Sequence, residues 1–292
     1  MEYVIYLALI LLGVCLGSFA GATVWRLRAR QLKYDKKHKE PVDEKEYARL
    51  EKLTKRKLSK DRSQCLHCGY ELKWYDLIPI VSWVALRGKC RHCHKPIGYF
   101  EPLIEIGMAG FFVVSYMFWP FGLESPFEIA RFIVWLISGV ILAMLFAYDS
   151  KWYLLPDKLT AILAGVGAVN VILAAIQSIN PVETVLSALG AVGILSGLYL
   201  ILYRVSNGRW VGFGDVKLGV GLALLLADWQ LAIVALFLAN FIGCLVVIPL
   251  MITGKLKRSS HVPFGPLLIA GTVIAFFIGP SLVEFYTFGL MP

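Results

Sequence analysis

Residues 3–25 form a run of 23 residues without a charged side chain. As a helix, such a run rises about 35 Å at 1.5 Å per residue, enough to cross ~30 Å of hydrocarbon. Seven further apolar runs follow, at residues 102–119, 127–148, 159–179, 182–203, 210–227, 231–252 and 264–282. The expected fold is therefore an all-α polytopic membrane protein with about eight transmembrane helices. Composition agrees: 58% of residues are hydrophobic and 17% charged, whereas an ordinary soluble domain is about a quarter charged. Ala20-Gly21-Ala22 has the small residues of a cleavage site, but Glu2 precedes the run and Arg26, Arg28 and Arg30 follow it. That charge order is the reverse of a signal peptide's, so an uncleaved first span with its N-terminus outside is expected.

Charge is concentrated in one segment. Residues 26–99 hold 20 Lys/Arg and 9 Asp/Glu, against 9 and 11 in the rest of the chain. The segment follows a span directly and carries no nucleic-acid signature, so the imbalance points to a cytosolic position beside a membrane and to no nucleic-acid partner. Alternating spans place residues 149–158, 204–217 and 254–262 on the same side, and those loops contain Lys151, Lys158, Arg204, Arg209, Lys217, Lys255, Lys257 and Arg258. Arg131 is the one basic residue left at the opposite ends. The chain divides into a first transmembrane helix (1–25), a charged arm (26–62) expected as exposed helix or partly disordered chain, a four-cysteine module (63–99) and a seven-helix membrane core (100–292). Gly13, Gly17 and Gly21 share one face of the first helix, where another helix can approach closely. Ser125-Pro126-Phe127-Glu128 reads as a helix start, and Asp157 and Asp228 as helix caps.

Cys65, Cys68, Cys90 and Cys93 form two C-x2-C pairs with 21 residues between them. Two reverse-turn knuckles at that spacing suit a tetrahedral thiolate site, and zinc is the metal such a set prefers in a structural role. Gly69 and Lys95-Pro96 supply turn chemistry after each pair. A pair of redox dithiols is the competing reading, and His67, His92 and His94 are further ligand candidates. Cys15 and Cys244 lie in apolar runs and read as helix-packing residues.

Two carboxylates stand out among the spans. Asp149 ends the third in Ala147-Tyr148-Asp149-Ser150, and Asp215 lies in Gly212-Phe213-Gly214-Asp215-Val216-Lys217 at the start of the sixth. Only 12 residues separate Asp215 from Asp228, too few to cross, so the sixth span is expected to begin near Trp210 with Asp215 about 5–8 Å below its start. Intramembrane carboxylates are functional candidates because an unpartnered charge there is costly. Two of them around one water share a proton, one serving as acid and the other as base, which is aspartyl-peptidase chemistry. Lys217 reads as a partner for Asp215 or as a basic anchor. No zinc-protease helix or serine elbow is present in the sequence.

Jointly, these features resemble the bacterial type IV prepilin peptidases. The marks are Gly17-Ser18-Phe19-Ala20, Ser63-Gln64-Cys65, Trp74-Tyr75-Asp76-Leu77-Ile78-Pro79, Ser82-Trp83 and Leu86-Arg87-Gly88-Lys89-Cys90. Pro102-Leu103-Ile104-Glu105, Asp149 with Leu155-Pro156-Asp157, Gly212-x-Gly214-Asp215 with Lys217, and Pro263-Phe264-Gly265-Pro266 complete them. The resemblance implies a bacterial inner-membrane enzyme with Asp149 and Asp215 catalytic on the cytosolic side, and zinc on Cys65, Cys68, Cys90 and Cys93. It implies prepilin or pseudopilin substrates with a basic leader, pilus or type II secretion machinery as partners, and methylation of the new N-terminus from S-adenosylmethionine. No residue of the chain marks the methyl-donor site; Glu105 is the candidate that the resemblance offers. The charged arm and Phe100-Glu101 depart from the family pattern. A presenilin-like intramembrane protease and a zinc-responsive transporter are the alternative readings.

Overall fold

A computed structural model describes residues 2–54, 62–256 and 262–288. Lys257 and Arg258, assigned above to a basic loop, and residues 55–61 of the charged arm lie outside the described residues. The chain separates into two compact units, Met1–Tyr116 and Met117–Pro292. Helices dominate both. Among the described residues the only strand-like pairings are the isolated bridges Gln64 to Glu71 and Lys89 to Pro96.

In the first unit, α1 (Glu2–Lys37) runs unbroken from the first apolar run into the charged arm. A short helix, α2 (Glu44–Leu50), is capped by Asp43, whose carboxylate accepts the N–H groups of Lys45 and Glu46. It folds back on α1 because the arm, though highly charged, carries one small apolar face: Ala29, Leu32 and Leu50 are buried together, with Trp25, Val42, Tyr47 and Leu66 around them. Arg28 to Glu46 (2.6 Å) and Lys36 to Glu44 (2.8 Å) bridge the two helices at the rim. Next come the cysteine module with α3 (Val81–Ala85), and then α4 (Phe100–Met117). α1 and α4 touch backbone to backbone: a Cβ on Gly13 would stand 2.7 Å from Ala109 Cα, and one on Gly17 2.7 Å from Glu105 Cα. Two of the three glycines on the predicted face therefore serve close approach, while at Gly21 the nearest atom is a side chain 3.8 Å away.

The second unit begins its helices with α5 (Pro126–Trp152), started by Ser125 and Glu128 in the reciprocal capping pattern read from the sequence. α6 (Asp157–Gln177) follows. α7 (Pro181–Val192), a five-residue π turn at Gly193–Gly197 and α8 (Leu198–Ser206) then make one continuous helix of 26 residues. α9 (Phe213–Leu226), α10 (Trp229–Ile252) and α11 (Gly265–Phe288) complete the unit. Among the described residues seven helices are long and apolar enough to cross a membrane: α1, α4, α5, α6, the α7 to α8 run, α10 and α11.

The sixth apolar run is the one that differs. α9 has 14 residues, about 21 Å of helix, and begins at Phe213 with Gly212 as its cap rather than at Trp210. Asp215 is thus in the first turn instead of several ångströms down the helix. The far end of α9 stops beside Gly190 and Ser187 of α7, where Trp229 N–H donates to Ser187 Oγ at 3.2 Å. A helix ending inside the protein leaves carbonyls without partners; here the Asn170 side-chain amide donates to Leu224 O (3.2 Å) and Leu225 O (2.9 Å). Asn170 Oδ1 in turn accepts from Arg131 Nε at 3.5 Å, and Arg131 lies 3.8 Å over the Phe121 ring with Gln177 Oε1 at 3.4 Å. The basic residue left over by the charge pattern is therefore a buried part of the support for the short helix. Asp228 caps α10 as expected, accepting from Gln230 and Leu231 N–H.

Candidate functional site

The two aspartates lie at one end of the second unit, on segments that both pack against Leu155. Asp149 is in the last turn of α5, 5% exposed, and its Oδ2 accepts the Gly265 N–H at 3.1 Å across 116 positions of sequence. Gly265 opens α11, so the carboxylate stands at the positive end of that helix. Asp215 occupies the third position of α9 and accepts the Gly212 N–H at 3.2 Å on its own helix's N-terminus. Each acid therefore has one backbone donor and one helix dipole offsetting the cost of negative charge. Leu155 lies between the two segments: a Cβ on Gly214 would be 3.1 Å from its Cβ, and one on Gly265 3.5 Å from its Cδ2. Tyr199, in α8, packs its ring against Phe264, the residue before Gly265, at 5.3 Å between centroids.

Gly265 has no room for a side chain, because a Cβ there would be 2.6 Å from Asp149 Oδ2. At the opposite end α5 and α11 are clamped by aromatics, with Trp135 stacked on Phe276 at 3.7 Å and Trp119 edge-on to Phe132 and tilted against Phe276. The clamp and the Asp149 contact together fix the register of the helix pair. Lys217 does not pair with Asp215; it reaches Asp157 at 2.7 Å. Asp157 is accordingly an ion-pair residue in the first turn of α6, whose cap position is Pro156, and not a cap itself.

The four cysteines of the first unit converge, with their Sγ atoms all within 4.8 Å of one another and Cys65 to Cys93 at 3.9 Å. Four thiolates at ~2.3 Å from a central ion have a tetrahedral edge of about 3.8 Å, so the cluster fits one metal with no position left open. The two knuckles repeat one geometry. Cys65 N–H donates to Tyr70 O and Gly69 N–H to Cys65 O, while Cys90 N–H donates to Lys95 O and His94 N–H to Cys90 O. Gly69 has φ +74° and its counterpart, His94, φ +56°, so the second knuckle forces a bulky residue into a left-handed conformation. No histidine joins the cluster; His92 stacks on Tyr70 at 5.1 Å instead. Burial pushes the Cys65 thiol up to about 12; at Cys90 burial is outweighed by the Cys93 and His92 N–H groups and the neighbouring thiols, which bring it down to about 7. Four adjacent thiols ionise together only around a cation.

Beside the knuckles is a cavity of about 190 Å³ lined by Ser18, Trp25, Asp76, Ile80, Trp83, Glu101 and Glu105, among others. Glu105 is 5% exposed and accepts the Ile80 N–H at 2.7 Å. Ile80 centres a tight turn of the strained hand, φ +59° and ψ −52°, with Val81 N–H donating to Pro79 O. Gly17-Ser18, Pro79-Ile80 and Pro102 to Glu105, separate in the sequence, all meet here. Trp25 Nε1 donates to Glu101 Oε1 at 2.9 Å, while Glu101 Oε2 is buried without a hydrogen-bond partner. Arg91 holds Asp76 at 2.8 Å, tying the second knuckle to the Trp74–Asp76 turn.

Sequence reasoning did not assign roles to Gly265, Leu155, Tyr199 or Ile80. The motifs holding the first two were visible, but only as marks of resemblance, and Ile80 falls between two such motifs.

Two family descriptions match the chain: the Bacterial Peptidase A24 N-terminal domain over residues 11–119, and the Type IV leader peptidase family over residues 136–248. A prepilin leader peptidase/N-methyltransferase of Aeromonas hydrophila is 29% identical over 291 residues, covering 97% of this chain and 94% of the relative. Proteins of the same description from Burkholderia pseudomallei (strain 1026b) and Pseudomonas aeruginosa are 31% and 28% identical, over 75% and 96% of this chain and 67% and 92% of their own lengths. No solved structure matches the chain.

Proposed function

The chain belongs to the type IV leader peptidase family, and from that premise we propose that it removes the basic leader from type IV prepilins or pseudopilins and N-methylates the residue so exposed. The observation that carries the hydrolytic half is the convergence of Asp149 and Asp215, each with a backbone donor at a helix N-terminus, at one end of the second unit. One carboxylate takes a proton from water as its oxygen bonds to the scissile carbonyl carbon, and the other gives its proton to the carbonyl oxygen. The first then protonates the leaving nitrogen as the C–N bond breaks, and the second recovers its proton from the collapsing diol. In this reading that end of the membrane core, and the cysteine module, face the cytosol across the inner membrane with the N-terminus outside, which the basic residues of the loops support. Pilus or type II secretion machinery is the setting in which such substrates are used.

Zinc on Cys65, Cys68, Cys90 and Cys93 is structural in this reading, since four ligands leave no open position. S-adenosylmethionine supplies an electrophilic methyl on a sulfonium cation when bound. The cavity of the first unit suits a cation, with the indoles of Trp25 and Trp83 and the carboxylates of Glu101 and Glu105 on its walls. The buried, unpartnered oxygen of Glu101 is a group that a cationic ligand satisfies. Glu105 belongs to this proposed donor site. A presenilin-like protease and a transporter are disfavoured by the family membership and by the four-thiol module.

Co-expression with a prepilin tests the reading through leader removal and the mass of the mature N-terminus. Asp149→Asn and Asp215→Asn should each abolish cleavage, and full processing by either ends the dyad assignment. A Cys65→Ser/Cys68→Ser variant should lose bound zinc and methylation before it loses cleavage.

A further inference from the structure

The helix formed by α7, the π turn and α8 runs antiparallel beside α9, and three contacts fix their register. A Cβ on Gly219 would stand 2.6 Å from Leu195 O, Ser196 Oγ donates to Val216 O at 2.9 Å, and the Tyr203 and Phe213 rings are 5.3 Å apart. Tyr199 falls between the second and third contacts, level with the first turn of α9 that carries Asp215. The π turn at Gly193–Gly197, immediately before it, is the kind of helix insertion that re-aims a side chain and recurs at functional sites.

Tyr199 is 4% exposed, and its ring packs against Phe264 at 5.3 Å. Phe264 directly precedes Gly265, whose N–H holds Asp149. The ring thus stands between the segments that fix the two carboxylates. Its hydroxyl forms no hydrogen bond among the described residues and is not among the buried atoms left without a partner, so it opens onto free space although the ring is buried. A donor level with the turn that carries Asp215, and without an acceptor, is available to a ligand.

We propose that the Tyr199 hydroxyl donates a hydrogen bond to the carbonyl oxygen of the scissile peptide, a third catalytic group beside Asp149 and Asp215. The proposal rests on the aspartyl-peptidase reading above. As water adds, that oxygen gains negative charge, and a fixed donor in a water-poor site stabilises it more than it stabilises the ground-state carbonyl. The phenol keeps its proton throughout, because the carboxylates perform both proton transfers.

The test uses the full-length protein in lipid with a prepilin substrate. Tyr199→Phe keeps the ring against Phe264 and removes only the donor. Its kcat should fall about 100-fold, with KM within twofold of wild type and both limbs of the pH–rate profile unmoved. A ring-fluorinated tyrosine at position 199, a stronger donor of similar shape, should keep kcat at or above the wild-type value. Tyr199→Phe cleaving within twofold of wild type overturns the proposal, as does a fluorinated variant that behaves like Tyr199→Phe. A loss of rate accompanied by shifted pH limbs also overturns it, since the tyrosine would then act through the aspartates. A wild-type protein that fails to cleave any prepilin overturns the peptidase reading itself, and a cleaving wild type with an unaffected Tyr199→Phe overturns only the tyrosine.

Discussion

Adding a single methyl at position 265 tests the site geometry most directly. The Cβ of Gly265→Ala would lie 2.6 Å from Asp149 Oδ2 and 3.3 Å from its Cγ, where ordinary van der Waals contact begins at 3.4 Å. The carboxylate must therefore retreat by about 0.8 Å, the difference between 3.4 and 2.6 Å. The Gly265 N–H bond to Asp149, now 3.1 Å, then stretches beyond hydrogen-bonding range. If Asp149 acts in the proposed dyad, misplacing it by about 1 Å costs on the order of 100-fold in rate, or about 2.7 kcal/mol of transition-state stabilisation. The assay is the initial rate of leader removal from a prepilin by purified protein in lipid. Gly165→Ala in α6, where a Cβ meets nothing within 4 Å, is the matched control and should leave the rate unchanged. Cleavage by Gly265→Ala within threefold of wild type would refute the idea that this N–H holds Asp149 in its working position.

Three other substitutions probe the supports. Gly17→Ala places a Cβ 2.7 Å from the Glu105 backbone and should destabilise the first unit by about 1–3 kcal/mol in thermal unfolding, whereas Gly21→Ala should be near neutral. His94→Gly relieves the left-handed strain of the second knuckle; it should stabilise the module by about 1 kcal/mol and slow zinc loss to a competing chelator. Asn170→Leu strips the Leu224 and Leu225 carbonyls and Arg131 of their shared partner, a change expected to cost about 2–3 kcal/mol in denaturant unfolding.

The long helices were legible because a membrane span depends on one property, the length of an apolar run, which is written consecutively. α9 shows where that rule stops. Its run looked like a full crossing, but the Gly212 cap and the left-handed Ala227 shorten it to 14 residues, and Asn170, a polar residue in a neighbouring helix, closes its end. The knuckles were legible from spacing, whereas the left-handed residue of the second one was not, because His94 stands where glycine would announce a positive φ. The ion pair of Lys217 with Asp157 joins positions 60 apart, and the nearer carboxylate was the natural guess. Gly265 and Tyr199 act through partners brought in by tertiary packing, so nothing local announces them. The arm, 26–62, was expected as exposed helix or partly disordered chain; among its described residues it is largely helix, and Ala29, Leu32 and Leu50, too few to form a visible apolar pattern, seat α2 on α1.

α1 continues without a break for 36 residues, about 54 Å, so its apolar half and its charged half are one hydrogen-bonded rod. Glycine contacts with α4 hold the rod at one end, and at the other it carries Leu32 and the salt bridges to α2. A rod cannot absorb rotation at a joint it does not have. A shift or tilt of the first span, as from a bulkier residue at position 13, is passed along the helix to Trp25 and hence to the Glu101 carboxylate that it holds. A disturbance at the α1–α4 glycine contacts should therefore register at the Trp25–Glu101 hydrogen bond, with no joint between them to take it up.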